Sequence, residues 1–232
     1  MLCSITINLS HFLFIIWKSF VSVISAKKTA PANTVVVLDF ETTGLSPNQG
    51  DRAIEIGAVK LDNGVIVDRF QKLMNPSFRV SSFIANYTGI TNEMLVSADD
   101  CATVMHEFAD FIQGCNLVAH NASFDQRFLD AELDAIQRDY DGTFSCSLLV
   151  SRRLTQDAPS HKLGELVAYH QIDNDGVFHR ALADAEVTAS LWQVLLDTLQ
   201  NDYKITNPDF SLMQKIAKTP KASVDQFLTK YR

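Results

Sequence analysis

Three short clusters carry residue types that could do chemistry together. Asp39-Phe40-Glu41 closes a β-branched apolar run, Thr34 to Asp39. Side chains on a strand alternate, so the two carboxylates project from one face and Phe40 from the other. Like charges held that close are costly unless a cation lies between them. His120-Asn121-Ala122-Ser123-Phe124-Asp125 follows a second, briefer apolar run and enters a helical pattern. Asp125 therefore belongs to a first helical turn beside a strand end. The third cluster is His179-Arg180-Ala181-Leu182-Ala183-Asp184. Five helical residues turn about 500°, which would leave a fully helical His179 about 140° away from Asp184. A helix that begins near Arg180 instead leaves His179 on the preceding loop. Asp184 then shares the stripe of Ala181, Ala185, Thr188 and Trp192, which faces the protein, where an acid needs a partner such as a metal. Taken singly, each cluster also has a plainer reading: acids solvated past a strand end, an acid at a helix dipole, a capping histidine.

The elements that must position these clusters follow from periodicity. After the first strand come turn formers, Gly44, Ser46-Pro47-Asn48 and Gly50-Asp51, then a second strand, Ala53 to Leu61. Asn63-Gly64 is a two-residue hairpin signal, and Val65 to Asn75 reads as a third strand, completing an antiparallel meander. The period then becomes helical at Val104, Phe108, Phe111 and Ile112, with a stop at Gly114. Asn116 to His120 is a short strand, and Phe124, Phe128, Leu129, Leu133 and Ile136 stripe the next helix. Lys162 to Tyr169 and Ala181 to Leu199 give two more amphipathic helices. The expectation is an α/β fold with a mixed five-stranded sheet, the meander plus parallel strands, flanked by helices. One domain over residues 34–200 accommodates all of it.

Together the clusters resemble the DEDDh 3′→5′ exonucleases, whose motifs read DxE, HNxxFD and HxAxxD. The surrounding stretches agree: ETTGL at 41–45, AIEIGAV at 53–59, YTGIT at 87–91 and LVAHNASFDQRFL at 117–129. The similarity spans about residues 34–198 and is nearest to the epsilon-type proofreading domains of bacterial DNA polymerase III. The resemblance implies a ribonuclease H-like sheet and a two-metal hydrolase. Asp39, Glu41, Asp125 and Asp184 would bind two Mg²⁺ or Mn²⁺ ions, and His179 would act as general base. Thr42, Thr43, Gly44 and Leu45 would hold the terminal sugar and base. Thr88 stands where relatives often carry a substrate-contacting histidine. His120 is placed with the substrate contacts, although its residue type and setting favour a structural role. The implied reaction releases nucleoside 5′-monophosphates from the 3′ end of single-stranded or frayed DNA, in proofreading or repair. Trimming of short RNA 3′ ends uses the same site. A non-catalytic partner-binding module is disfavoured, because all four carboxylates and the histidine are present.

Charge and composition bound this reading. Residues 34–200 hold 24 acids and 11 bases, a balance of −13, while residues 1–33 and 201–232 each carry +3, for −7 overall. A basic face is the usual mark of duplex binding, so the body is expected to grip a narrow 3′ terminus. Two divalent cations would bring that body to about −9. Cys3, Cys101, Cys115 and Cys146 form no CxxC pair, which excludes a zinc knuckle and fits a reducing compartment. Residues 1–33 are read as an apolar leader and linker. Ile5 to Ala26 is interrupted by Asn8, His11, Lys18 and four serines, whereas a spanning helix wants about 20 predominantly apolar residues. A leader from an upstream start codon is expected, with a membrane anchor as the lesser alternative and a cytoplasmic location. Residues 201–232, with Pro208 and Pro220, are read as a basic extension of one or two short surface helices or a loose tail. Such an extension could dock a polymerase or another protein.

Overall fold

The computed structural model describes residues 30–174 and 180–231; the leader up to residue 29 and His179 lie outside the described residues. Strand β1 (Val35–Thr42) is longer than its apolar run. It continues through the acids because β2 (Ala53–Asp62) pairs with it along its whole length, placing Asp39 opposite Gly57 and Glu41 opposite Glu55. The two carboxylates thus belong to the strand rather than to its frayed end. The hairpin signal holds: Asn63 and Gly64 both take positive φ, 50° and 80°, as a tight turn matching strand twist requires. Strand β3 (Val65–Leu73) follows.

On the other side of β1 lie β4 (Leu117–Ala119) and β5 (Phe144–Cys146), both parallel, giving the order β3-β2-β1-β4-β5. The mixed sheet agrees with the sequence expectation. β5 had no named place in it, because three residues carry no readable period.

The helices are α1 (Ser82–Thr88), α2 (Asn92–Val96), α3 (Cys101–Ile112), α4 (Ser123–Ala135), α5 (Ser147–Leu154), α6 (Leu163–Tyr169), α7 (Ala181–Tyr203), α8 (Phe210–Lys218) and α9 (Val224–Leu228). Ser81, Thr91 and Asp100 cap α1, α2 and α3 by accepting a backbone N–H three residues on, replacing bonds the helix cannot make internally.

Alternation along β1 divides the core. Val36, Leu38 and Phe40 pack with Phe108 of α3 and Phe128 of α4, and Phe40 meets Phe108 edge-on at 6.3 Å. Val35 and Val37 face the other way, onto Leu191, Trp192 and Leu195 of α7. By the same alternation Asp39 and Glu41 point toward α7.

The expected boundary at residue 200 falls inside α7. Phe210, Met213 and Ile216 of α8 and Val224 and Leu228 of α9 join the same buried cluster as α7. Gln214 Nε2 donates to Phe144 O of β5 at 2.8 Å, and Phe210 N donates to Ala30 O. The short helices are present, but as packed parts of the core and not a loose tail. Among the described residues no helix is long and apolar enough to cross a membrane.

Candidate active site

The sheet delivers two carboxylates and α7 delivers a third. Asp39, Glu41 and Asp184 each offer an oxygen, and these lie within 4.8 Å of one another. Glu41 and Asp184 are buried, while Asp39 is partly exposed. Among the described residues no donor reaches the Asp39 or Glu41 carboxylate at hydrogen-bonding distance. Burial, and then the charges of Asp125, Asp184 and Glu41, push Asp39 well above the usual carboxylate range. Burial and then Asp184 and Glu55 push Glu41 up to about 8, against a smaller lowering by Arg180. Acids this close favour their charged forms only when a cation joins them. The donor set is all oxygen, which suits a hard divalent ion such as Mg²⁺ or Mn²⁺.

Asp125 sits in the first turn of α4, as its spacing predicts, but outside that trio. Its Oδ1 accepts from Phe40 N at 3.2 Å, directly between Asp39 and Glu41 in sequence. Burial raises it to about 7, opposed by backbone N–H bonds from Phe40 and from its own residue.

The trio opens into a cleft of about 840 Å³ that also takes in Thr42, Thr43, Gly44, Leu45, Thr88, His120 and Phe124. Thr42 Oγ1 donates to Gly44 O at 2.6 Å, and Arg52 N donates to Thr43 Oγ1 at 3.0 Å. These bonds shape the turn and leave Leu45 projecting, 77% exposed. Thr88 is buried; its hydroxyl donates to Ile84 O and accepts from Ile90 N. Both ring nitrogens of His120 are engaged: Nε2 donates to His161 O at 3.0 Å, and Nδ1 meets Ser147 Oγ at 2.9 Å. Burial lowers His120 to about 4, so the ring is neutral and ties the end of β4 to α5.

Several lining residues escaped the sequence reading. Phe83 and Tyr87, one turn apart on α1, stack with centroids 6.1 Å apart and rings within 9° of parallel. Both are more than half exposed. The signal was available: Phe83 and Tyr87 are two aromatics at helical spacing, on a different face from Ile84. Glu55 was missed too. It is fully buried, its Oε1 accepting from Arg180 Nη2 and Gln71 Nε2 and its Oε2 from Arg180 Nε and Ala181 N.

A mixed five-stranded sheet with carboxylates gathered along its central strand and a crossing helix defines the class: a ribonuclease H-like nuclease fold. The exonuclease family of ribonuclease T type matches residues 36–192, and the chain belongs to this family of DEDDh 3′→5′ exonucleases. The DNA polymerase III PolC-type protein of Thermotoga maritima is 42% identical over 193 residues, covering 80% of this chain and 13% of that protein. The chain thus spans about an eighth of the length of the curated relatives it matches. Exonuclease X, solved in complex with 5′ overhanging duplex DNA, is 25% identical with a TM-score of 0.61, covering 79% of this chain and 99% of that one. The nuclease domain of 3′hExo, a DEDDh family member bound to rAMP, shares the fold at 23% identity and a TM-score of 0.60, covering 71% and 92%.

Proposed function

We propose that the chain is a metal-dependent exonuclease that removes nucleoside 5′-monophosphates from the 3′ end of single-stranded or frayed DNA. The observation that carries this is the trio Asp39, Glu41 and Asp184, gathered within 4.8 Å at a cleft, with no hydrogen-bond donor on the Asp39 or Glu41 carboxylate among the described residues. With Asp125 they would hold two Mg²⁺ or Mn²⁺ ions. Bound there, such a pair supplies charge stabilisation and lowers the pKa of water.

His179 is assigned by its motif as the general base that takes the proton from the attacking water. A histidine with an ordinary pKa near 6.5 does this at neutral pH. Thr42 to Leu45 and Thr88 bound the place of the terminal nucleotide, with Leu45 as an apolar wedge. His120 contributes by holding the cleft wall in shape. Phe83 and Tyr87 offer flat faces for bases, which stack without sequence preference.

The DNA preference rests on likeness to polymerase III PolC-type proteins. An exonuclease acting on short RNA would use the same site, with discrimination resting on contacts to the 2′-OH. Rates on labelled single-stranded DNA, duplex DNA with a mismatched 3′ end, and short RNA test the proposal. Faster loss of either DNA substrate supports it. Faster loss of the RNA rejects the DNA assignment while keeping the chemistry.

A further inference from the structure

Four positions form one patch on the sheet face that carries α7: Asp39 opposite Gly57, and Glu41 opposite Glu55. Three of the four are acids, yet they are treated differently. Glu55 is wholly buried and its two oxygens accept four protein donors, at 2.8 to 3.2 Å. That leaves no lone pair directed at an ion. Two of those donors belong to Arg180 and a third is the N–H of Ala181, the first residue of α7. The first helical bond of α7 then runs from Asp184 N to Arg180 O at 3.1 Å. A second observation concerns the same turn: a Cβ on Gly57 would collide with the backbone of Ala181 and Leu182. The start of α7 therefore rests on bare strand backbone at the residue directly opposite Asp39.

We propose that Glu55 and Arg180 are positioning residues for the metal site. The forked pair locks the first turn of α7 onto β2 and so sets how far the Asp184 carboxylate reaches toward Asp39 and Glu41. This rests on reading the trio as a metal site. Outer partners that orient ligands in this way are worth roughly 10- to 100-fold in metal affinity or activity. A fork matters here, because lysine keeps the charge of arginine but not its two parallel bonds.

The test is Mn²⁺ binding to the full chain, followed by electron paramagnetic resonance, with circular dichroism as a check on folding. Five proteins are compared: wild type, Glu55→Gln, Arg180→Lys, the double variant, and Asp39→Asn. The expected result is folded single variants whose Mn²⁺ affinity falls roughly 10- to 100-fold, with the double variant no weaker than the worse single. Arg180 is 35% exposed, so Arg180→Lys carries the test if Glu55→Gln fails to fold. Wild-type affinity in a folded variant, additive losses in the double, or collapse of both singles would overturn the proposal. Asp39→Asn separates the two levels. If it loses Mn²⁺ while Glu55→Gln keeps it, only the positioning role falls. If Asp39→Asn also binds normally, the metal site itself falls.

Discussion

Two sets of acids around β1 and β2 are wired in opposite ways. Glu55 and Glu132 are each clamped by an arginine fork and a backbone N–H. Glu132 accepts from Arg52 Nε and Nη2 at 2.8 and 2.7 Å and from Ala53 N at 3.2 Å. Asp39 and Glu41 have no such partners among the described residues, and their protons are held well above the normal range. Burial alone therefore does not distinguish an acid that holds the fold from one that does chemistry. The difference is where the compensating positive charge comes from. In the first set it is part of the chain, and the pair joins a helix to β2: Glu132 ties α4, and Glu55 ties α7. In the second set the chain supplies only the smaller lowering of Glu41 by Arg180, and on the proposed reading a bound metal supplies the rest. The clamped acids hold the two helices that bring Asp125 and Asp184 to β1.

The largest expected effect breaks the open set. Asp39→Asn should cut turnover by about a thousandfold or more, since the charge stabilisation of bound metal is worth several kcal/mol. The metal-free variant should also melt higher than wild type, because a repelling charge is gone. A lower melting temperature with normal turnover would place Asp39 in the structural set.

Next comes pH. Glu41 binds its proton more tightly folded, at about 8, than its ordinary value of 4.5. The folded state therefore holds more protons between those values, and stability of the metal-free protein should fall as pH rises through that window, by a few kcal/mol in total. Saturating Mn²⁺ should flatten the slope, because metal replaces the protons. Chemical denaturation at pH 5 and pH 8, with and without Mn²⁺, measures this; a metal-free curve that rises with pH would refute the electrostatic picture.

A smaller effect with the opposite sign probes the clamped set. Glu132→Gln should lower stability by about 1–3 kcal/mol, towards the low end because Arg52 is 37% exposed and water can replace part of the bond. Thermal melts of this variant and Asp39→Asn should move in opposite directions. The smallest effect lies at the cleft rim. Phe83→Ala or Tyr87→Ala should raise KM about tenfold with kcat little changed, since stacking on one base is worth about 1–3 kcal/mol. A kcat loss without a KM change would remove the stacking role.

Much of this was legible in the residues. The β-branched run, the Asn63-Gly64 turn and the helical stripe of Phe124, Phe128 and Leu129 gave the sheet and the helix that positions Asp125. Strand alternation alone put Asp39 and Glu41 on one face. What escaped was tertiary. The short β5 and helices α1 and α2 offer too few residues for a period to emerge. Glu55 sits in Ala53-Ile54-Glu55-Ile56, where alternation cannot say whether an acid is solvated or clamped; that depends on Arg180, 125 residues away. The C-terminal segment read as short surface helices or a loose tail because its apolar clusters are short, yet Phe210, Met213, Ile216, Val224 and Leu228 join the buried cluster that holds Trp192, which only the folded core defines.

On the proposed reading, the open carboxylates make a metal-dependent site working from the 3′ end. Single-stranded DNA carrying a different label at each end, digested with Mg²⁺ and sampled in time, tests it most directly. The 3′ label is expected to leave first as a mononucleotide and the 5′-labelled strand to shorten stepwise, and EDTA or Asp39→Asn should stop both. Release of the 5′ label first, or equal digestion by Asp39→Asn, would contradict it.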